Sequence, residues 1–205
     1  MTERQLLVLA TRNAGKTREI REYLGDFPVE IKNLEDFGRI PSVEEDGATF
    51  DENAYKKASF TAKILGLPAL ADDSGLEVEA LGGAPGVHSA RYAGQSATDA
   101  ENNAKLLRKM EGKTNRAAAF TCVISIAVPS GAALTYEARC EGLIAEAPAG
   151  ENGFGYDPLF YCPPLNRTFA QLSAEEKNRV SHRGKALAEL KEEFEKVLIW
   201  IRQRL

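Results

Sequence analysis

The run Ala117 to Val128, apolar except for Thr121 and Ser125, is followed by Pro129-Ser130-Gly131 and then by a second strand-like run, Leu134 to Ile144. Two long strand patterns joined by a turn of this composition predict an antiparallel hairpin. A hairpin of that length constrains the fold strongly, because the flanking segments alternate strand and helix. Gln5 to Ala10 reads as a buried strand, Lys16 to Leu24 as a helix with Ile20, Tyr23 and Leu24 on one face, and Val29 to Leu34 as a second strand. Strand-helix units around an antiparallel hairpin imply an α/β fold with a mixed rather than a purely parallel sheet.

Three S/T-x-x-E signatures mark helix starts: Thr49 to Glu52 before a helix to Leu65, Thr98 to Glu101 before a helix to Met110, and Ser173 to Glu176. After Ser181-His182-Arg183-Gly184, the positions Leu187, Leu190, Phe194, Val197, Leu198 and Ile201 recur at helical spacing, which predicts a final helix packed by its apolar stripe. There is no internal repeat and no low-complexity linker.

At 205 residues and 43% hydrophobic content the chain suits one domain, or one domain with two lobes, and carries enough apolar surface for its own core. Cys122, Cys140 and Cys162 are odd in number and lack C-x-x-C spacing, so neither a disulfide framework nor a zinc site is expected and a reducing cytoplasm fits. The stretch Ala117 to Pro129 is too short to span a bilayer, and Met1-Thr2-Glu3-Arg4 leads directly into a strand, so no membrane anchor or signal peptide is expected. A net charge of −4 argues against a surface built to hold a nucleic acid polymer, but not against a single nucleotide.

Asp72-Asp73-Ser74-Gly75 follows directly on the apolar Leu67-Pro68-Ala69-Leu70-Ala71. A short buried strand ending in two carboxylates at the rim of a sheet needs a cation or donors there, and a divalent metal fits; the plain alternative is a turn. Downstream, Gly82 to Gly94 reads as a long glycine-rich loop without secondary structure of its own, the kind that is functional or disordered, and its rings His88 and Tyr92 argue against disorder. Thr11-Arg12-Asn13-Ala14-Gly15-Lys16 joins a strand to a helix N-terminus, where amides, the helix dipole and a lysine favour phosphate; a solvated capping turn is the alternative, and the P-loop spacing is missing. Glu44-Glu45-Asp46 is a solvated acidic face unless it folds toward Asp72 and Asp73, where magnesium takes one or two carboxylates. In Gly153-Phe154-Gly155-Tyr156-Asp157, glycines flank a ring that a flat base could approach, or that simply caps the core. Lys177 and the pair His182-Arg183, which interrupts a helical region, could aim donors at carbonyl or phosphate oxygens.

Thr11 to Lys16, Ala71 to Leu76, Gly82 to Gly86, Ser89-Ala90-Arg91-Tyr92, Gly153 to Pro158 and Ser181-His182-Arg183, in that order across nearly the whole chain, strongly resemble the inosine triphosphate pyrophosphatase family. The resemblance implies a single nucleoside triphosphate pyrophosphatase domain over residues 1–205. It implies an elongated mixed sheet flanked by helices in two lobes, with the active site in the cleft between them, and a homodimer. It implies magnesium-dependent hydrolysis of ITP, dITP and XTP to monophosphate and pyrophosphate. Carried over, Thr11, Arg12, Asn13, Ala14, Gly15 and Lys16 bind the phosphates, with Lys16 also catalytic. Asp73 is general base and metal ligand, with Glu44 as second ligand, although periodicity does not fix the register of Glu44 against Glu45. Ser74, Phe154, Gly155, Tyr156, Asp157, Lys177, His182 and Arg183 complete the nucleotide site, with Phe154 stacking on the base.

A donor from His182 or Arg183 facing a purine 6-oxygen would accept hypoxanthine and xanthine and oppose the adenine 6-amino group. Guanine shares the 6-oxygen, so its rejection must lie around the 2-position. Arg12 and His88 depart from the family pattern, which has glycine and more often tyrosine there. Competing readings are a pyrophosphatase for modified pyrimidine or methylated nucleotides, and a nucleotide sensor that has lost turnover; the presence of Lys16 and Asp73 disfavours the latter.

Overall fold

The computed structural model describes residues 4–205, so the expectation for Met1-Thr2-Glu3 lies outside the described residues. Among the described residues a mixed sheet of seven strands has the order β2-β1-β3-β4-β5-β6-β7. The strands are β1 Gln5–Leu9, β2 Val29–Asn33, β3 Ala69–Val78, β4 Ala117–Ala127, β5 Ala133–Ile144, β6 Phe160–Cys162 and β7 Arg167–Thr168. β1 pairs in parallel with β2 and β3, whereas β6 runs antiparallel to β5 and β7. The helices are α1 Ala14–Leu24, α2 Phe50–Leu65, α3 Asp99–Met110, α4 Ala174–Val180 and α5 His182–Arg202.

The helix starts follow their signatures. Thr98 and Ser173 accept from the amides of Glu101 and Glu176, and those glutamates reach back to close reciprocal capping boxes. Thr49 also caps its helix through the Glu52 amide, but the Glu52 carboxylate accepts from Ala48 N–H at 2.7 Å, one residue beyond the expected partner. α1 starts at Ala14, two residues before the expected Lys16, because the Asn13 side chain accepts from the Lys16 amide and serves as N-cap.

Two expectations fail. β3 does not stop at Asp72-Asp73 but runs on to Val78, so the carboxylates lie inside a strand and form neither a rim nor a turn. The reason is long-range: lysines from two helices neutralise the pair, and Leu76 and Val78 resume the buried pattern. The glycine-rich segment is also structured. Glu79–Leu81 and Gly86–Arg91 form 3-10 turns, and Leu76 N–H donates to Ser89 Oγ at 2.8 Å.

The chain divides into two compact units. One comprises Met1–Asp73, Val123–Glu137 and Ala186–Leu205; the other comprises Ser74–Cys122 and Ala138–Lys185. The first has a core around Val8, Ala58, Ala62, Ala69, Ala71 and Ala127, and Phe27 meets Phe194 edge-on at 4.8 Å. Leu187, Leu190, Phe194, Val197, Leu198 and Ile201 are all buried, as the stripe predicts. The second has an aromatic core in which Phe120, Phe160 and Phe169 lie with centroids 4.7 to 6.0 Å apart.

All three cysteines are free and buried, and burial pushes the Cys140 thiol up to about 11. Buried thiols are shielded from reagent, so these cysteines are expected to resist iodoacetamide at pH 8 until the chain is unfolded. Mass spectrometry of native and denatured samples reads this directly; rapid native labelling of Cys140 would contradict it. Among the described residues no helix is long and apolar enough to cross a membrane.

Candidate active site

In the first unit, the strand-helix loop is preorganised by its own side chains. Asn13 N–H donates to Thr11 Oγ1 at 3.2 Å, and Lys16 N–H to Asn13 Oδ1 at 3.1 Å. The amides of Ala14 and Gly15, in the first turn of α1, are donors of the kind a helix leaves without internal acceptors. Arg12 Nη2 donates to the Ile40 carbonyl at 3.1 Å, tying the loop to the segment that precedes the acidic run. A cavity of about 650 Å3 beside the loop is lined by Thr11, Arg12, Ala14, Thr17, Arg18 and Arg21, among others, and Asp73 is not among its walls.

Successive residues of a strand point to opposite faces, so Asp72 and Asp73 meet different helices. The Asp72 carboxylate, fully buried, pairs with Lys16 of α1. Asp73 Oδ1 lies 2.7 Å from Lys57 Nζ of α2, and the same nitrogen lies 3.0 Å from Glu45 Oε1 and donates to the Asp72 carbonyl at 3.0 Å. One ammonium therefore sits among three oxygens. Burial raises the Asp73 pKa above its ordinary value, with Lys57 pulling the other way. Burial works against the Lys57 charge, but Asp73 and Glu45 outweigh it and hold its pKa above the ordinary value.

The acid that reaches this cluster is Glu45; Glu44 is exposed. The segment is placed from α2, where Asn53 Oδ1 accepts from Gly47 N–H and Lys56 pairs with Asp46. Lys57 was not singled out from sequence, yet a signal existed. It falls within the inward stripe Phe50, Asn53, Ala54, Ala58, Thr61 and Ala62, where an unpaired lysine would be costly.

Among the described residues there is no cluster of three or more His, Cys, Asp or Glu side chains placed to hold a metal. The donor set nonetheless fits a hard cation with few protein ligands: Asp73 and Glu45 already share a positive charge, and magnesium commonly takes one or two carboxylates and completes its shell with water and phosphate oxygens.

In the second unit, Ser74 Oγ accepts from Arg183 Nη2 at 2.8 Å. The loop Gly153 to Asp157 is closed by Phe154 N–H donating to Asp157 Oδ2 at 2.9 Å, with Gly153 at φ 77° and Gly155 at φ 61°. Asp157 is buried and pairs with Lys177 of α4 at 2.5 Å. Lys177 Nζ stands 4.7 Å from the Phe154 ring centroid and the Arg183 guanidinium 5.5 Å, so two cations gather at one ring. Tyr156 is a brace, its hydroxyl donating to the Ser89 carbonyl at 2.8 Å.

His182 and Arg183 do not sit in an interruption, as the sequence suggested; the break falls at Ser181, and α5 begins at His182. The Ser181 hydroxyl accepts from Gly184 N–H at 3.0 Å, and a Cβ on Gly184 would lie 1.7 Å from the Asn178 carbonyl oxygen, so the close approach of α4 and α5 requires glycine. His182 is buried, its ring stacked on Phe120 at 4.6 Å and 10°.

Residues 7–193 match the model of the Ham1 family. A dITP/XTP pyrophosphatase of Syntrophobacter fumaroxidans is 66% identical over 98% of this chain and 87% of its own length. Another of that name, from Geobacillus kaustophilus, is 52% identical over 94% and 95%. Among solved structures, a HAM1 protein from Coxiella burnetii superposes with a TM-score of 0.88 at 46% identity, covering 94% of this chain and 99% of that one. The Ham1 protein of Staphylococcus aureus gives 0.86 at 43% identity over 94% and 99%.

Proposed function

The chain belongs to the Ham1 family, and from that premise we propose that it is a nucleoside triphosphate pyrophosphatase that hydrolyses dITP, ITP and XTP to the monophosphate and pyrophosphate, keeping deaminated purines out of the nucleotide pool. The observation that carries the reading is the buried Asp73 carboxylate sharing one cation with Glu45, beside an Asp72 that anchors Lys16 of the phosphate loop.

Asp73 and Glu45 would hold magnesium, which supplies charge neutralisation for the triphosphate when bound. Here Glu45 replaces Glu44 as the second ligand, because its carboxylate is the one beside Lys57. Thr11, Asn13 and the amides of Ala14 and Gly15 receive phosphate oxygens, while Lys16, oriented by Asp72, adds a point charge. Asp73 removes a proton from the attacking water as its oxygen bonds to the α-phosphorus. The bond from that phosphorus to the α,β-bridging oxygen breaks, and pyrophosphate leaves. Lys57 offsets charge on the reacting phosphates, and positioning supplies most of the rate.

The base is assigned to Phe154, by stacking, and to donors of His182 and Arg183 that suit a 6-oxo group and oppose the 6-amino group of adenine. Arg183 is also held against Ser74, which limits its freedom to adapt to the wrong base. The protein would act in the cytoplasm, as a homodimer, on free nucleotides. Its test is pyrophosphate release from dITP and XTP in magnesium, lost on chelation and restored by added metal; turnover that survives chelation would overturn the metal assignment.

Replacing Lys57 by methionine removes the ammonium that occupies the space between Glu45 and Asp73. Turnover is expected to fall about 10- to 100-fold. Magnesium without substrate should raise the melting temperature of Lys57→Met more than that of the wild type, because the metal meets no resident cation. Thermal-shift titration reads this, and equal shifts for the two proteins would contradict the shared-site assignment.

A further inference from the structure

We infer that Asp99 and Asn103, on the first two turns of α3, are positioning residues for the nucleobase, clamping both backbone polar groups of Gly155 and thereby fixing the neighbouring Phe154 ring. The inference rests on the reading that Phe154 stacks on the base. Gly155 N–H donates to Asp99 Oδ2 at 2.6 Å, and Asn103 Nδ2 donates to the Gly155 carbonyl at 2.9 Å. The two side chains are four residues apart on one helix and so share a face. They reach across more than fifty positions of sequence to one glycine, which is held at φ 61°.

Neither side chain is needed to start the helix. Thr98 and Glu101 already close the capping box of α3, leaving the Asp99 carboxylate for the loop. Asn103 goes further, because its Oδ1 is buried without a hydrogen-bond partner. Flipping the amide would set that oxygen against the Gly155 carbonyl, so the bond to Gly155 dictates an orientation that leaves an acceptor unsatisfied. From the other side, Asp157 holds the Phe154 amide and Lys177 and Arg183 stand over its ring. The α3 clamp fixes the next peptide. Without it the Gly155 turn has a glycine's freedom, and the ring loses its fixed plane.

The clamp touches no group assigned to phosphate or metal, so its loss should appear in substrate binding and not in chemistry. Asp99→Ala and Asn103→Asp are expected to raise KM for dITP about five- to tenfold, with kcat within about twofold of wild type. Asp99→Asn, which retains an acceptor, should stay near wild type. Inhibition by inorganic tripolyphosphate, which has no base to stack, should not change. Combined with Phe154→Ala, either variant should add nothing, because ring and clamp act as one unit. If Phe154→Ala raises KM while Asp99→Ala and Asn103→Asp do not, the clamp is overturned alone. If Phe154→Ala leaves KM unchanged, the stacking reading fails and takes the clamp with it. Weakened tripolyphosphate inhibition, or a parallel loss of kcat, would mark a merely structural role and also overturn the inference.

Discussion

Asp73→Asn is expected to reduce dITP turnover by about three orders of magnitude or more, while nucleotide affinity stays within about threefold of wild type. The substitution preserves shape but removes the proposed proton acceptor and one charge from the proposed metal site. The fold should tolerate it, because Lys57 keeps Glu45 and the Asp72 carbonyl as partners and the Asp72-Lys16 pair is untouched. Binding by calorimetry alongside single-turnover kinetics separates the two effects. Wild-type turnover by this variant would remove Asp73 from the mechanism, and loss of binding with turnover would make it a phosphate or structural residue.

Lys177→Met is expected to be the most destabilising of the substitutions considered. Lys177 and Asp157 form a pair 2.5 Å apart with side chains 8% and 3% exposed. Removing one partner of a buried ion pair costs about 3–5 kcal/mol. In a chain of this size that corresponds to a fall in melting temperature on the order of 10 °C. Asp157 also closes the Phe154 loop, so a variant that still folds should bind dITP less tightly. Changing Asp157 to Asn in the same protein should recover part of the stability, since the buried charge that Lys177 offset is then gone. A melting temperature within about two degrees of wild type would mean that water reaches Asp157 and the pair is not the keystone of its loop.

How much of this was legible in the sequence depended on the range of the interactions. The capping boxes at Thr98 and Ser173, the stripe from Leu187 to Ile201 and the hairpin around Pro129-Ser130-Gly131 are local patterns, and the structure follows each of them. Asp72 and Asp73, two acids after an apolar run, need partners, but the partners lie on α1 and α2 and no local rule names them. Without Lys16 and Lys57 in view, ending the strand was the cheaper solution; with them the strand continues. The register of Glu44 and Glu45 was open for the same reason, because contacts with α2, not periodicity, decide which glutamate turns toward Lys57.

The loop Gly153 to Asp157 shows the same division. Gly153 to Asp157 stood out because glycines flank aromatics, and the positive φ angles at Gly153 and Gly155 agree with that composition. That Asp157 closes the loop on itself, that Lys177 sits against it, and that Asp99 and Asn103 grip Gly155 all depend on tertiary packing. Arg12, which departs from the family pattern, turned out to bridge to Ile40, a role that a phosphate-loop motif does not encode.

Product release from dITP, ITP, XTP, GTP, ATP and dTTP in magnesium, with pyrophosphate scored separately from orthophosphate, decides whether the chain is a pyrophosphatase selective for deaminated purines. Pyrophosphate and monophosphate are expected from dITP, ITP and XTP, with little from ATP, GTP or dTTP. Orthophosphate as the first product, or a preference for ATP or a pyrimidine, would contradict it.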